Sequence, residues 1–422
     1  MSVTSESSDE GNETDNRDVR RLADWPSGRL ESLAEEHGTP LYVTDLGRVR
    51  ENYQRFASAF GNADVHYAAK ANTSQAVLRT LESEGSSVEC ASAGETERAF
   101  AAGFEGERVH YTAVNPPAED LDRAVELADE HPGLTITVGA ENTVDRLAER
   151  GYDGRLCLRV NPGVGAGHHE KVRTGADAKF GIPYDRAAEL LESAADGFDV
   201  VGIHAHAGSG ISGDDLSNHR ELVSRMGELA RDIDLSLEFV DVGGGFGVPY
   251  HPDESPLDLD SVAEATREAL GDLDATLVVE PGRYLVADAG VLLTRVNTVK
   301  ETPDITVLGV DAGMTTLARP ALYDAYHHVR NLARDGPEIE TTIAGPICES
   351  SDTFGEHTIA DPERDDLLAI GNAGAYGYEM ASQYNSRPRP AAVVVDGDRS
   401  AVVNRRETIA DVTATEQEVT WE

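Results

Sequence analysis

The sequence predicts a (β/α)8 barrel followed by a separate all-β domain. Between about residues 65 and 282, eight short apolar runs with β-strand character alternate with helical stretches, and their number and spacing suit a barrel. From about residue 290 the alternation ends, and the apolar runs are joined by turns instead of helices. The alternation alone also permits an open doubly wound sheet, so that fold is the alternative.

Four regions follow from this pattern. Residues 1–18 are polar and acidic, and we expect them to form a disordered tail. Residues 19–44 contain a helical stretch that stops at Gly38 and the strand-like run TPLYVTD, and this segment is expected to pack with the β domain. The barrel is assigned to residues 45–285, and a sandwich-like or barrel-like β domain to residues 286–422.

The barrel region opens with LGRVRENYQRFASAF, whose apolar residues recur with the 3.6-residue period of a helix. The eight predicted strands that follow are VHYAAK (65–70), SVEC (87–90), RVHYTA (108–113), TITVGA (135–140), RLCLRV (155–160), VVGIHAHA (200–207), EFVDVG (238–243) and TLVVEPG (276–282). The predicted strands of the β domain are VLLTRVNTVKE, ITVLGVDAG, TTIAGPI, LLAIGNAGAYG and PAAVVVDGD.

The composition is extreme in its acidity. The chain carries 77 acidic and 36 basic residues, a formal net charge of −41, and four of its basic residues are lysines. Nucleic acids and anionic membranes require a basic face, so the charge argues against both as partners. An acidic binding protein is one interpretation. We favour an enzyme from a cytosol with molar salt, as in a halophilic archaeon, because about 1 M salt shortens the Debye length to about 3 Å and screens self-repulsion.

The sequence also predicts a cytoplasmic location. No run approaches the ~20 apolar residues that span a bilayer, and the N-terminus lacks the form of a signal peptide. The three cysteines, at positions 90, 157 and 348, are too widely spaced for a disulfide framework or a metal-ligand pair, which suits a reducing compartment. Cys90 and Cys157 are expected to be buried as small hydrophobic residues.

Unusual residues stand at the C-terminal ends of the predicted barrel strands, where such barrels carry their active sites. They are Lys70 after the first strand, His206, Gly208 and Ser209 after the sixth, Gly243, Gly244 and Gly245 after the seventh, and Glu280 and Arg283 after the eighth. Lysine, unlike arginine, can lose its proton and condense with a carbonyl compound. A glycine loop brings backbone N–H groups close to a ligand, and with the N-terminus of the next helix it predicts an anion site. A phosphate site and a reactive lysine together suggest pyridoxal 5′-phosphate (PLP).

Longer motifs support this suggestion. The stretches HYAAKAN, GIHAHAGSG, DVGGGFG, EPGRYLVADAG, GPICESSDTF and MASQYNSRPRPA occur in this order along the chain. In these motifs the chain resembles the fold-type III PLP-dependent decarboxylases, and among them the diaminopimelate decarboxylase family. The resemblance extends from about residue 25 to residue 405.

The resemblance implies a role for each site residue. Lys70 bonds covalently to PLP, His206 stacks on its ring and Glu280 pairs with its pyridine nitrogen. The implied cofactor contacts are Lys70, His206, Ser209, Gly243, Gly244, Gly245, Glu280, Gly282, Arg283 and Tyr376. The implied substrate contacts are Arg283, Arg319, Tyr323, Glu349 and Tyr376. Catalytic Cys348 and substrate-binding Glu349 come from the second subunit of a head-to-tail homodimer with shared active sites.

The implied reaction is decarboxylation of meso-2,6-diaminopimelate to L-lysine and CO2, the last step of lysine biosynthesis. Two residues support it on physical grounds. A carboxylate at Glu280 keeps the pyridine nitrogen protonated and deepens the electron sink, which favours decarboxylation over the racemisation catalysed by alanine racemase, a family of the same fold. The planar guanidinium of Arg319 can hold a distal substrate carboxylate, unless it pairs with an acid of this acidic chain.

Two rival functions remain at this point. One is a decarboxylase of ornithine, arginine or carboxynorspermidine, and the other is a catalytically silent regulator of decarboxylase ancestry. The sequence departs from the family pattern at Glu89, where aspartate is usual, and at Ser351, where glycine is usual. The histidine pairs in GHHE (167–170) and YHHV (326–329) suggest a metal, but adjacent side chains of a strand point to opposite faces, so no metal site is predicted.

Overall fold

The computed structural model describes residues 19–164, 179–206, 208, 211 and 215–421. The predicted acidic tail, the GHHE stretch, Lys171 and Ser209 lie outside these residues. The described strands are β1 (Leu41–Asp45), β2 (Asp64–Ala68), β3 (Ser87–Cys90), β4 (Val109–Tyr111), β5 (Thr135–Val138), β6 (Arg155–Asn161), β7 (Ile182–Pro183), β8 (Asp199–His204), β9 (Phe239–Asp241), β10 (Thr276–Val279), β11 (Gly290–Glu301), β12 (Thr306–Val310), β13 (Val329–Asn331), β14 (Glu338–Ala344), β15 (Thr353–Ala360), β16 (Leu367–Ile370), β17 (Ala391–Asp396) and β18 (Arg399–Asn404). The described helices are α1 (Ser27–His37), α2 (Leu46–Phe60), α3 (Gln75–Ser83), α4 (Ala93–Ala102), α5 (Ala118–Glu130), α6 (Glu141–Ala148), α7 (Tyr184–Ala194), α8 (Ser217–Asp232), α9 (Leu259–Leu270), α10 (Arg283–Val286), α11 (Arg319–Tyr323) and α12 (Ile409–Val412).

Eight parallel strands close into a barrel. Their order is β5-β4-β3-β2-β10-β9-β8-β6, and pairing of β5 with β6 completes the circle, while the two-residue strand β7 pairs with the C-terminal end of β6. The predicted (β/α)8 barrel is therefore confirmed, and the open doubly wound sheet is wrong. Because the eight strands are parallel, the segments that follow them lie at the same end of the barrel, and residues that are distant in sequence meet there.

Helix α2 shows how the sequence builds the barrel wall. The side chain of Asp45 accepts hydrogen bonds from the N–H groups of Gly47 and Arg48 at 2.8 and 3.3 Å, which caps the helix. Val49 and Phe56 stand seven residues apart on one helix face, and both are fully buried. Burial of each such side chain stabilises the fold by about 1.5–3 kcal/mol.

The second domain is a nine-stranded sheet that includes a strand from the N-terminus. Its main order is β15-β14-β12-β11-β1-β17-β18, with β16 pairing with β11 and with β13. Strand β1 lies between an antiparallel neighbour and a parallel one, so Tyr42 pairs with Leu292 of β11 and with Ala392 of β17. The N-terminal strand is therefore an internal strand of the β domain.

Three strands of this domain, β13, β15 and β18, are not predicted by the sequence pattern. In β15 the buried residues Phe354 and Ile359 are separated by Gly355, and a glycine inside a strand weakens its pattern. Strand β18 is largely exposed, so it carries no continuous apolar stripe.

The two domains meet beside the C-terminal end of β2. The N–H of Tyr376 donates to the carbonyl of Ala71 at 2.8 Å, and the side-chain amide of Asn72 donates to the carbonyl of Gly374 at 3.0 Å. Cys90 and Cys157 are fully buried, as predicted. Within the described ranges, no helix combines the length and the apolar character that a membrane crossing requires.

Candidate active site

A cavity opens at the C-terminal ends of the barrel strands. It is lined by Ala68, Lys70, His206, Gly245, Phe246, Glu280, Gly282, Arg283 and Tyr376. The structure thus brings together most of the predicted cofactor residues. Tyr376 is the one lining residue from the β domain, and its φ of +55° lies in the left-handed region that residues other than glycine seldom adopt.

Lys70 is held by an ion pair. Strand β2 ends at Ala68, two residues earlier than predicted, and Lys70 lies in the single 3-10 turn that follows. Its Nζ atom donates to Oε2 of the buried Glu89 at 2.6 Å. Although burial on its own would lower the pKa of Lys70, the negative charges of Glu89 and Glu280 raise it above its ordinary value. The glutamate that departs from the family pattern is therefore the direct partner of the lysine.

Glu280 is the carboxylate at the floor of the cavity. It is 4% exposed, and its Oε2 lies 3.3 Å from Nε2 of His204. Burial on its own would raise the pKa of Glu280, but His204 and Lys70 hold it well below its usual range. Burial and the charge of Glu280 raise the pKa of the neighbouring Asp241 well above its usual range, so Glu280 is the ionised member of this carboxyl pair.

The second oxygen of Glu280 is an unusual atom. Oε1 is buried and has no hydrogen-bond partner among the described residues. Burying a charged oxygen without a hydrogen-bond partner costs free energy. Its position therefore indicates that it accepts a hydrogen bond from a bound ligand.

The glycine loop after β9 approaches its neighbours too closely for any side chain. Gly243 has a φ of +73°, and a Cβ there would lie 2.6 Å from the carbonyl oxygen of Ala205. A Cβ on Gly244 would clash with the carbonyl oxygen of Glu280. The N–H of Gly244 donates to Nδ1 of His206 at 3.1 Å, and burial followed by the charge of Lys70 lowers the pKa of His206 to about 3. The His206 ring is therefore neutral.

The prediction that the N-terminus of the next helix forms part of the anion site is wrong. The next helix after the glycine loop, α9, begins only at Leu259 and is capped by Asp258, so its N-terminus is not part of the loop. The chain after Gly245 first bridges to Ile211 through Phe246 and then forms a long loop.

The long loop places Tyr250 beside Arg283 and Arg319, and the sequence analysis does not predict this residue as part of the site. The hydroxyl oxygen of Tyr250 accepts hydrogen bonds from NH1 of Arg283 at 2.5 Å and from NH1 of Arg319 at 2.8 Å. Burial on its own would raise the pKa of Tyr250, but the two guanidinium groups lower it. Arg319 also donates to Nε2 of His327 at 3.0 Å. Tyr323 ends the same one-turn helix that Arg319 begins.

The carboxylate partner considered for Arg319 is absent. Across the residues described, neither Arg283 nor Arg319 lies within 4.0 Å of a carboxylate oxygen, although Arg319 is only 4% exposed. Of the histidine pair YHHV, His327 has both ring nitrogens in use, because its Nε2 lies 3.0 Å from NH1 of Arg319 and its Nδ1 lies 2.9 Å from the carbonyl of Gly371.

Cys348 and Glu349 lie on the β domain, in the loop between β14 and β15, and neither lines the cavity. Both are exposed. Glu349 accepts a hydrogen bond from the hydroxyl of Tyr384 at 2.6 Å, and the amide of Asn385 lies 3.6 Å from Sγ of Cys348. Ser351 in the same loop has no positive φ, so its backbone does not require the glycine that is usual in the family.

Comparison with known proteins places this geometry in a family. A family model described as the pyridoxal-binding domain of pyridoxal-dependent decarboxylases matches residues 46–287. The diaminopimelate decarboxylase of Methanothermobacter thermautotrophicus is 43% identical over 399 residues, which cover 90% of this chain and 92% of that protein. The enzyme of the same name from Zymomonas mobilis is 36% identical over 405 residues, which cover 93% and 96%.

Solved structures agree. The crystal structure of diaminopimelate decarboxylase from Helicobacter pylori complexed with L-lysine has a TM-score of 0.84 and 32% sequence identity to this chain, and the match covers 91% of this chain and 98% of that one. With a closed barrel, a lysine at its C-terminal end and similarity at this level over about nine tenths of its length, the chain belongs to the diaminopimelate decarboxylase family of pyridoxal-dependent decarboxylases.

Proposed function

We propose that the protein decarboxylates meso-2,6-diaminopimelate to L-lysine and CO2 with PLP as its cofactor. The assignment of the substrate rests on one observation, the pairing of Arg283 with Arg319. In a chain with 77 acidic residues, these two half-buried or buried guanidiniums have no carboxylate partner among the described residues and share one phenol oxygen instead. They form a site for an anion from outside the chain, which a distal substrate carboxylate supplies.

The cavity fits PLP in its chemistry. Lys70 offers an amine, Glu280 offers a buried ionised oxygen without a partner, and His206 offers a neutral ring. The N–H groups of Gly243 and Gly244 already donate to Oδ1 of Asp241 at 2.8 Å and to Nδ1 of His206 at 3.1 Å, so among the three loop glycines the N–H of Gly245 is the one left for a phosphate. Gly282 packs against the lysine turn, where a Cβ would lie 3.2 Å from that of Ala71. When bound, PLP supplies the electron sink that stabilises the negative charge left at Cα by the loss of CO2.

The protein residues then act in specific ways. Glu280, whose pKa lies well below its usual range, would keep a proton on the pyridine nitrogen of a bound PLP. His206 would add an uncharged ring beside the cofactor. We propose that the predicted contacts of Ser209 and Tyr323, with those of Tyr376 from the β domain, complete the cofactor and substrate sites.

A panel of amino acids tests the function directly. CO2 release is expected from meso-diaminopimelate, and at least tenfold less efficiently from ornithine and arginine, because two guanidiniums at the far end of the site repel a substrate that ends in a cation. Equal efficiency on ornithine would contradict the substrate assignment. A purified protein that carries no visible cofactor band and releases no CO2 would instead support the silent regulator.

The site also requires a second subunit in our proposal. Cys348 and Glu349 are exposed on the β domain and away from the cavity lining, which suits residues that complete the active site of a partner in a head-to-tail homodimer. Tyr384 and Asn385 hold both residues in place for this role.

Mixing two inactive variants is expected to restore activity. In a hybrid dimer of Lys70→Ala and Cys348→Ala subunits, one site carries both substitutions and the other carries neither, so random exchange gives about a quarter of the wild-type activity. Activity after co-refolding measures this. Mixing Lys70→Ala with Glu280→Ala is the matched control and should recover nothing, because those residues belong to one subunit's cavity. Equal recovery in both mixtures argues against shared sites.

We further propose that the protein works at high salt in the cytoplasm of a halophilic archaeon. Its net charge of −41 destabilises the compact state by self-repulsion, so Tm is expected to rise from dilute buffer to molar KCl. Calorimetry at neutral pH measures the trend, and the same scan near the isoelectric pH of about 4.5 is the control, in which the dependence should shrink. A flat or falling trend at neutral pH would defeat the proposal.

A further inference from the structure

The cluster around Tyr250 does more than supply two positive charges. Both arginines donate through NH1 to one oxygen, so two like charges are held side by side where they would otherwise move apart. The guanidinium carbon atoms also lie over the Tyr250 ring, at 5.7 Å for Arg283 and 5.0 Å for Arg319 from its centroid. The tyrosine therefore contacts both groups with its oxygen and with its ring.

The hydrogen bonds of Arg319 determine which edge of its guanidinium remains available. Its NH1 atom donates to Tyr250 and to Nε2 of His327, which uses both N–H bonds of that nitrogen. His327 can accept because its ring, whose pKa burial lowers to about 3, is neutral and donates through Nδ1 to the carbonyl of Gly371. The Nε and NH2 atoms of Arg319 have no acceptor among the described residues. These two atoms form the fork that binds a carboxylate side-on.

We infer that Tyr250 is a positioning residue for the distal carboxylate of the substrate. Its hydroxyl oxygen fixes Arg283 and Arg319 side by side and, together with His327, turns the free fork of Arg319 toward the incoming anion. This inference rests on the proposed function, and it extends that function to residues that do not themselves touch the substrate.

The choice of tyrosine also preserves the charge of the site. A carboxylate at this position would hold the two arginines equally well, but it would cancel much of their charge and compete with the substrate for the same donors. A phenol that keeps its proton accepts both hydrogen bonds without adding a negative charge, so both positive charges stay available for the substrate. In a chain this acidic, a phenol oxygen between the half-buried Arg283 and the buried Arg319 distinguishes the site from the many surface ion pairs.

The test uses the holoenzyme with Tyr250→Phe, which keeps the ring against both guanidiniums and edge-on to His327 but removes the oxygen. The matched control is Tyr326→Phe, because Tyr326 is nearby but stacks on His251 at 3.9 Å instead. The probes are L-lysine, which retains the distal carboxylate of the substrate, and cadaverine, which is the same diamine without it.

In Tyr250→Phe, the KM for meso-diaminopimelate and the inhibition constant of L-lysine are expected to rise about tenfold, with kcat within about twofold. The inhibition constant of cadaverine should stay unchanged, and Tyr326→Phe should behave like the wild type. A parallel change for L-lysine and cadaverine, or Tyr250→Phe values equal to those of Tyr326→Phe, would overturn the inference.

Two further outcomes are distinguishable. A wild-type protein that fails to decarboxylate diaminopimelate overturns the proposed function, whereas selective loss of L-lysine binding in Tyr250→Phe still supports the role of Tyr250. If Tyr250→Phe does not fold, His327→Gln carries the test, since it disturbs the second acceptor of Arg319 and leaves the Tyr250 oxygen in place. His327→Gln should raise the inhibition constant of L-lysine and leave that of cadaverine unchanged. Equal changes in the two inhibition constants would count against the inference.

Discussion

Replacement of Lys70 by alanine is expected to abolish decarboxylation, with a loss of about 10⁴-fold or more, and to remove the visible absorption band of the covalently held cofactor. Of the described lysines, Lys70 alone lines the cavity. Lys179 packs on the ring of Phe180, and Lys300 lies exposed near the end of β11 in the β domain. No other described amine is in place to replace it.

Absorbance and single-turnover CO2 release measure this loss. Lys179→Ala is the matched control and should keep both the band and the activity. A Lys70→Ala protein that retains the band would move the covalent link to Lys171 or Lys179, the two lysines that follow the fifth predicted strand.

Replacement of Arg319 by lysine is expected to lower kcat/KM for meso-diaminopimelate by about 10- to 100-fold. Lysine keeps the charge, but its ammonium lacks the planar fork, and it cannot donate to Tyr250 and His327 while presenting two further parallel donors to a carboxylate. The effect is expected to be larger than that of Tyr250→Phe, because Arg319 contacts the substrate and Tyr250 acts through it.

Steady-state kinetics on diaminopimelate and ornithine check the result. Arg334→Lys is a suitable control, since Arg334 pairs with Glu363 and Asp366 in the β domain and does not line the cavity. If Arg319→Lys retains wild-type efficiency, the fork does not bind the substrate, and the role of Arg319 is reduced to packing.

The sequence predicts the barrel and the core of the site because both depend on local pattern. Alternation of strands and helices implies a barrel, and the barrel rule then places Lys70, His206 and Glu280 together at one end. Tyr250 cannot be predicted in this way, because it lies in a long loop without periodicity. It contacts residues 283 and 319 only in the folded protein. The pairing of Glu89 with Lys70 is likewise a contact between neighbouring strands that the sequence does not specify.

Predictions from local sequence pattern are wrong about the helix at the anion site and miss three strands of the β domain, for the same reason. A glycine loop followed by a helix is a common anion site, but the distance from Gly245 to the start of α9 at Leu259 depends on loop conformation, which no periodicity reports. Strand β13 has three residues and β18 is largely exposed, so each depends on its neighbour for pairing and neither has enough buried apolar residues to form a recognisable pattern.

The internal position of β1 in its sheet affects the order in which the two domains can fold during synthesis on the ribosome. The barrel strands are all synthesised once Val279 has emerged, so the barrel can close before most of the β domain is made, as domains generally fold in the order of synthesis. Strand β1 emerges before any of them, yet its parallel neighbour β17 ends at Asp396, close to the end of the chain. Among the described strands, β1 is therefore the first to be made, and it gains its parallel neighbour only when β17 has been synthesised. A fragment that begins after α10 lacks β1 and leaves the edges of β11 and β17 open to aggregation, so the β domain can be excised only together with the N-terminal segment.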